Sequence, residues 1–522
     1  MKTMFKPLGI AAAVAAASAG YTNVSNAQDL AVANNALGDL ALVPYYTVNG
    51  DWITGIHIVN TSDRTQVVKF RFRRADDSLD ALDFNIVMSP QDVYAGFLSD
   101  DENGTISWSA NDTTCTVPAT TNGRLTMPAI YRQGADSGYV EIIAMGSPTT
   151  ETAPIALAAK HDTDTLTPLD CAAVRSNFFA DGSSASNFGV EAPDTTWQQA
   201  SSAASIEAGG ENTYVAAANV LKVSYFIRDN ASGVEFGDNA VHIQNFLSVP
   251  SITNQQFGWL SGDLDGFDFP DIDGSALGPD GDALLQRGRF DDLRASDILG
   301  VGFLFNEWTA NPANGAALDW VVTMPGQYTM MDTPQFVLAT EDALDGSDDD
   351  DITCVQGSVT DDCDYRDIPV EASINAYNRE ERTTVPQSGE LTVSPALPGA
   401  QQRLLLEKET NVITFGGNSV LGVQDVDISA DLGQPFGWLS LSVASQSGDA
   451  SPDLRSCVWD YDRDTAGGDR ETNAELLLLM SCPTGSITNP GVPMIGFAAW
   501  ARSVAANPDA SYGRIVGHSF SS

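Results

Sequence analysis

The sequence predicts an all-β protein, built from two or more β-sandwich domains of immunoglobulin-like type with long acidic loops. Three observations carry that expectation. Short runs of alternating apolar and polar residues recur along most of the chain, the period of a strand with one face buried. Gly, Asn, Asp and Pro cluster between those runs and supply turns. Long amphipathic helical windows are scarce. Segments of this kind bury their apolar side by packing sheet on sheet.

The first strands are 53–60 (ITGIHIVN) and 66–73 (QVVKFRFR), both alternating and both expected to be half-buried. Strand 80–88 (DALDFNIVM) follows and stops at Ser89-Pro90. Further strands are expected at 138–144, 221–228, 241–246, 298–305, 320–324, 370–377, 403–406, 411–415, 438–443 and 494–500. Segment 474–480 (AELLLLM) is too short for its period to separate helix from buried strand. Two faint repeats occur. Residues 81–90 (ALDFNIVMSP) resemble 317–325 (ALDWVVTMP), each after a strand carrying an Asn, Asn60 or Asn306; this reads as one strand position used in two related sandwiches. FGWLS occurs at 257–261 and again at 436–440. The expected division is a leader at 1–27, an N-terminal sandwich at 28–204, and a larger C-terminal β-sandwich region at 205–522 with an acidic insertion near 341–364.

The leader has the three parts of a secretory signal peptide: Lys2 and Lys6, the apolar run 8–19, and Ser25-Asn26-Ala27 before Gln28. The run is shorter than the ~20 residues of a membrane span, and no later stretch is long and apolar enough, so no transmembrane segment is expected. The expected location is outside the cytoplasm. The net charge is −43, which repels nucleic acid and anionic lipid. Apolar residues still make up 43% of the chain, enough for packed cores rather than disorder. Six cysteines in an exported chain read as disulfides. The most economical pairing is local: Cys115 with Cys171, Cys354 with Cys363, Cys457 with Cys482.

Residues that could carry chemistry are few. No HExxH, GxSxG or P-loop pattern occurs, and the histidines His57, His161, His242 and His518 are scattered. His57 alternates within its strand and is expected at the surface. His518 and Ser519 have no nucleophile elbow around them. No catalytic residue is expected. The aspartate clusters are more informative, because Ca²⁺ takes about six to eight oxygen ligands from loops with alternating acids and a Gly turn. Asp460, Asp462, Asp464 and Asp469 form one such loop around Gly467-Gly468, within the expected Cys457–Cys482 loop. Asp263, Asp265, Asp268, Asp271 and Asp273 form another. Residues 345–351 form a third, weaker one. None follows the full EF-hand pattern, and a solvated acidic loop is the plain alternative for each.

Several stretches together resemble a family. They are Leu42-Val43-Pro44-Tyr45-Tyr46-Thr47-Val48, Ile58-Val59-Asn60-Thr61, Leu82-Asp83-Phe84-Asn85 with Ser89-Pro90, and Gly138-Tyr139-Val140-Glu141-Ile142-Ile143 with Met145-Gly146. Later come Leu318-Asp319-Trp320-Val321-Val322, Tyr377-Asn378-Arg379-Glu380-Glu381-Arg382 and Gly496-Phe497-Ala498-Ala499. The chain resembles a family of exported, mostly uncharacterised bacterial cell-surface proteins. Its size, acidity and leader are also similar to those of the surface-layer (S-layer) proteins of marine gammaproteobacteria, which tile the outer membrane. That resemblance implies a structural, self-assembling subunit that uses calcium and meets lipopolysaccharide. A surface adhesin or glycan-binding protein is the second expectation; Trp259, Trp438 and Trp459 would suit sugar stacking if exposed, although an FGW tryptophan is expected inside. A secreted hydrolase on a β scaffold is the third.

Overall fold

The computed structural model describes residues 30–176 apart from 77, 79, 102, 130 and 131; residues 214–247; a few positions between 250 and 299; and, beyond these, the strands below with their adjoining turns. The chain is all-β, with almost every strand pair antiparallel. Two short helices, Pro154–Ala159 and Cys171–Ser176, interrupt the strands.

Four large sheets form the body. Sheet I runs in the order Ala31–Val32, Val241–Gln244, Leu40–Thr47, Ser137–Pro148, Gln66–Arg74, Asp80–Met88, Cys115–Val117, with Tyr214–Val215 beside the end of Ser137–Pro148. Sheet II runs Glu235–Asn239, Leu221–Asp229, Trp52–Asn60, Val93–Asp100, Ile106–Ser109, Arg124–Thr126. Strand Leu221–Asp229 pairs with Trp52–Asn60 along its whole length, so the first two sheets take strands from both sides of residue 204. Sheet III runs Val426–Ile428, Thr410–Phe415, Ala316–Thr323, Ile495–Arg502, Tyr512–Gly517; its Val426–Ile428 edge is parallel. Sheet IV runs Thr383–Thr384, Val370–Tyr377, Phe436–Val443, Phe303–Thr309, Ser519–Ser521, with Gln402–Leu406 also on Val370–Tyr377.

Alternation decides what each face buries. Phe70, Phe72, Phe84 and Ile142 of sheet I point at Tyr94 and Trp108 of sheet II. Their rings pack at centroid distances of 4.9–6.5 Å, and Trp108 Nε1 donates to Tyr94 Oη at 2.8 Å. Gly96 makes room for this: a Cβ there would lie 2.5 Å from the Trp108 ring. Sheets III and IV bury Trp308, Trp320, Phe415, Leu439 and Ile374 between them. The other face of sheet III, with Val321, Val412, Phe497 and Ala499, joins the core of sheets I and II. Phe497 packs on Tyr225 at 6.4 Å, and Thr323 Oγ1 donates to Pro44 O at 2.6 Å. Sheet III thus lines both cores, one on each of its faces.

Strand Gln66–Arg74 departs from the half-buried expectation, because its polar face is also buried. Lys69, Arg71 and Arg73 lie there with Asp83 and Glu141, all essentially without solvent exposure. Lys69 Nζ is 2.8 Å from Asp83 Oδ2, Arg71 Nη1 is 3.4 Å from Glu141 Oε2, and Arg73 Nε is 3.3 Å from Glu141 Oε1. Charges on neighbouring strands lower one another's burial cost, which is several kcal/mol for a lone ion. Two satellite cores flank this cluster on the same face. One is built on Leu40, Leu42, Ile143 and Phe246; the other is built on Val67, Val87 and Met145 under the two helices. The Cys115–Cys171 disulfide clips the second helix to the edge strand. Cys354, Cys363, Cys457 and Cys482 lie outside the described residues. Val458 and Ser481, adjacent to Cys457 and Cys482 in sequence, are cross-strand partners in a small ribbon.

The ALDFNIVM and ALDWVVTM repeats keep their facing but not their place. Leu82 and Leu318, Phe84 and Trp320, and Ile86 and Val322 all point into a sandwich core. Asp83 and Asp319 both point away from it, and both are fully buried. Asp80–Met88 lies next to the short edge strand of sheet I, whereas Ala316–Thr323 is central in sheet III. The preceding asparagines are both clamps. Asn60 Nδ2 donates to Arg64 O and Ser89 O, and Asn306 Nδ2 to Val516 O and His518 Nδ1.

Candidate functional site

The expected calcium loops, Asp263–Asp273 and Asp460–Asp469, lie outside the described residues, as does 345–351. Among the described residues, no three His, Cys, Asp or Glu side chains converge closely enough to hold a metal ion. None of the described helices is long and apolar enough to cross a membrane.

The histidines occupy four different settings. His57 is exposed on the outer face of sheet II, as its alternation implies. His242 is buried; its Nε2 accepts from Val223 N at 2.8 Å, and burial drives its pKa down to about 4. His518 is buried against Trp320, with ring centroids 4.8 Å apart. Its Nδ1 takes the Asn306 amide at 3.0 Å, so Nε2 carries the proton and donates to Val321 O at 2.9 Å. Burial lowers its pKa to about 4. These two are neutral structural groups.

His161 is the one with chemical neighbours. Its Nε2 is 3.2 Å from Thr113 Oγ1, and its Nδ1 is 3.2 Å from Ser89 Oγ and 3.9 Å from Asp92 Oδ2. Burial raises the Asp92 pKa, against the pull of His161 and two backbone N–H donors. A catalytic triad needs the carboxylate hydrogen-bonded to the imidazole nitrogen opposite the nucleophile. Here the Ser89 hydroxyl takes that nitrogen, and the carboxylate lies beyond hydrogen-bond reach. The cluster ties the turn after Asp80–Met88 to the segment leading to the disulfide.

Asp319 is a buried carboxyl that motif reasoning passed over. Its Oδ2 accepts from Ser419 Oγ at 2.9 Å, Val420 N at 2.7 Å and Leu421 N at 2.9 Å, while Oδ1 has no partner. Burial raises its pKa to about 7. The sequence signal was present in the repeat, which sets an Asp inside an apolar strand twice.

Two outer sheet faces expose rings. On sheet IV, Trp438 stacks on its cross-strand partner Tyr377, with centroids 3.9 Å apart and planes 8° from parallel. Phe305 lies 6.1 Å from Trp438, and Phe303 lies 6.2 Å from Phe305. Trp438 is 40% exposed and Phe303 42%. Trp438 is therefore a surface residue, not the buried FGW tryptophan expected. It stands outward because its neighbours Leu439 and Leu441 take the core-facing positions. Trp259 and the Trp459 side chain lie outside the described set. On sheet II, Phe226 and Phe97 are 36% and 41% exposed. No known family, curated protein or solved structure matches this chain.

Proposed function

We propose that the chain is an exported structural protein of the cell surface, an S-layer-type subunit that assembles with copies of itself and is stabilised by calcium. The observation that carries this reading is the exposed ring row of sheet IV. Single exposed apolar residues need no explanation, but a contiguous aromatic row on a flat face is characteristic of association surfaces. A chain of net charge −43 repels its own copies, so contact requires local burial that outweighs the repulsion. Trp438 and Phe303 are each about two-fifths exposed, and contact would bury that remaining ring surface at about 25 cal/mol per Å². Four rings in a row supply that locally. The leader, the cysteine usage and the family resemblance point to the same location.

The test is Trp438→Ser combined with Tyr377→Ser, secreted from the native host and purified. Both positions face solvent on the outer side of the sheet, so thermal unfolding is expected to change little. Sedimentation velocity should show the wild type assembling with concentration and the variant remaining monomeric. Wild-type protein that stays monomeric at high concentration, with calcium present, removes the assembly reading. Assembly that survives the double substitution moves the contact elsewhere.

A further inference from the structure

We propose that the outer face of sheet II is a binding surface for an acidic polysaccharide. This face is separate from the ring row of sheet IV. The outward positions of sheet II are fixed by its register. One row across the strands reads Gly237, Phe226, Gly55, Phe97, Ser109, Arg124. The Phe226 ring lies directly over Gly55: a Cβ there would sit 2.0 Å from the ring. Glycine is thus needed at 55 for the ring to lie across its neighbouring strand while staying 36% exposed. Phe97, 41% exposed, borders the same glycine on the other side. Phe226 thus carries its ring one strand toward Phe97, and the two side chains border one apolar strip across Gly55. The C–H face of a pyranose ring packs on aromatic surface of this kind.

Charge supplies the second half of the argument. The chain has 69 acids against 26 Lys and Arg, yet this face reverses the balance. Its outward charged side chains are Lys222, Arg228 and Arg124 against Glu235 alone, and Glu235 is 3.7 Å from Arg228. Asp100 and Asp238 on the same sheet take the opposite parity, paired with the core-facing Ile106 and Tyr225. His57 and Ser224, directly opposite each other one row along, add hydrogen-bonding groups beside the rings. Guanidinium and ammonium groups around a ring match a sugar that carries carboxylates. A neutral glycan would leave the cations unused, and a nonspecific polyanion would leave the rings unused.

The experiment is affinity electrophoresis of the full secreted chain through gels containing alginate, a polyuronate. Dextran serves as the neutral control and dextran sulfate as the charge control. Retardation by alginate and none by dextran is expected. Phe226→Ala, and separately Lys222→Gln with Arg228→Gln, should each weaken alginate binding roughly tenfold or more. Phe97→Ala is the second ring variant should Phe226→Ala fail to fold. Trp438→Ser should leave alginate binding unchanged, which keeps this face distinct from sheet IV. Absence of alginate binding overturns the proposal. So does binding that survives the ring substitutions and follows dextran sulfate, since charge alone would explain it. Loss of self-association in these variants without any effect on alginate would make the face a contact between copies and also overturn it.

Discussion

Asp319 shows what a single buried carboxyl does to stability. Three donors reach its Oδ2 from Ser419, Val420 and Leu421, and nothing reaches Oδ1. Across from it lies the buried Tyr45 phenol, pushed up by burial with smaller contributions from Asp425 and Asp319. Desolvation outweighs the hydrogen bonds, so the folded pKa is about 7 against an ordinary 3.8. Below pH 3.8 both folded and unfolded forms hold the proton, and the group is neutral in the balance. Between 3.8 and 7 only the folded form holds it, so stability falls as pH rises. The loss is complete above 7, at about 4 kcal/mol. His242 and His518 work in the other direction. Their folded pKa values near 4 mean that stability is lost as pH falls from 6.5 toward 4. Asp319→Asn is therefore expected to change the shape of the pH profile, not only its height. The wild type should lose stability relative to the variant as pH rises from 4.5 to 7, and the gap should then level off. Thermal midpoints of both proteins at matched ionic strength measure the difference, in which the histidine contributions cancel. Parallel profiles would mean that Asp319 is ionised throughout.

At the scale of the strand, period-2 alternation placed most elements but could not say what lies on their polar side. Asp80–Met88 and Val370–Tyr377 match their expected bounds, and Trp52–Asn60 and Leu221–Asp229 differ by one residue. Leu40–Thr47 was missed because it is buried on both faces and has no alternation to read. Gln66–Arg74 alternates cleanly, yet its polar side meets charged partners instead of water. Alternation reports the chemistry of each face, and a face of paired charges can be covered as well as an apolar one. The surface rings were hidden for a related reason. FGWLS reads as apolar, and only the placement of Leu439 inside shows that Trp438 is outside. The buried charges make a measurable difference between two cations. Arg71→Met leaves the Asp83 and Glu141 charges short of a partner and should destabilise by about 3–5 kcal/mol. Lys222→Met, on an exposed strand position, should stay within about 0.5 kcal/mol. Urea midpoints at unchanged slope compare the two. Similar small effects would show that the cluster is screened by water.

For the whole molecule, electrostatics and assembly are one problem. The four sheets enclose two cores that meet at sheet III, and the outer faces of sheets II and IV expose rings that contact with copies could cover. The chain's net charge of −43 opposes that contact. Each like pair brought to ~8 Å in water costs about 0.5 kcal/mol, and a face-to-face contact brings several pairs together. Salt spreads this cost but does not remove it within a Debye length of about 8 Å. Calcium held by Asp460, Asp462, Asp464 and Asp469, and by the loop from Asp263 to Asp273, would cancel charge locally. An ion bound only by the folded, assembled form draws the equilibrium toward it as its concentration rises. Chelation is therefore expected to release soluble subunits from cells, and added calcium to rebuild ordered arrays. Asp462→Asn with Asp464→Asn should raise the calcium needed while leaving secretion and the fold of the four sheets intact. Light scattering during a calcium titration reads this directly, with sodium chloride at equal ionic strength beside it. Equal effects of the two salts would reduce calcium to plain screening and remove the loops from the mechanism. Failure to assemble with either ion, at concentrations well above those at the cell surface, would leave the ring face of sheet IV without a partner of its own kind.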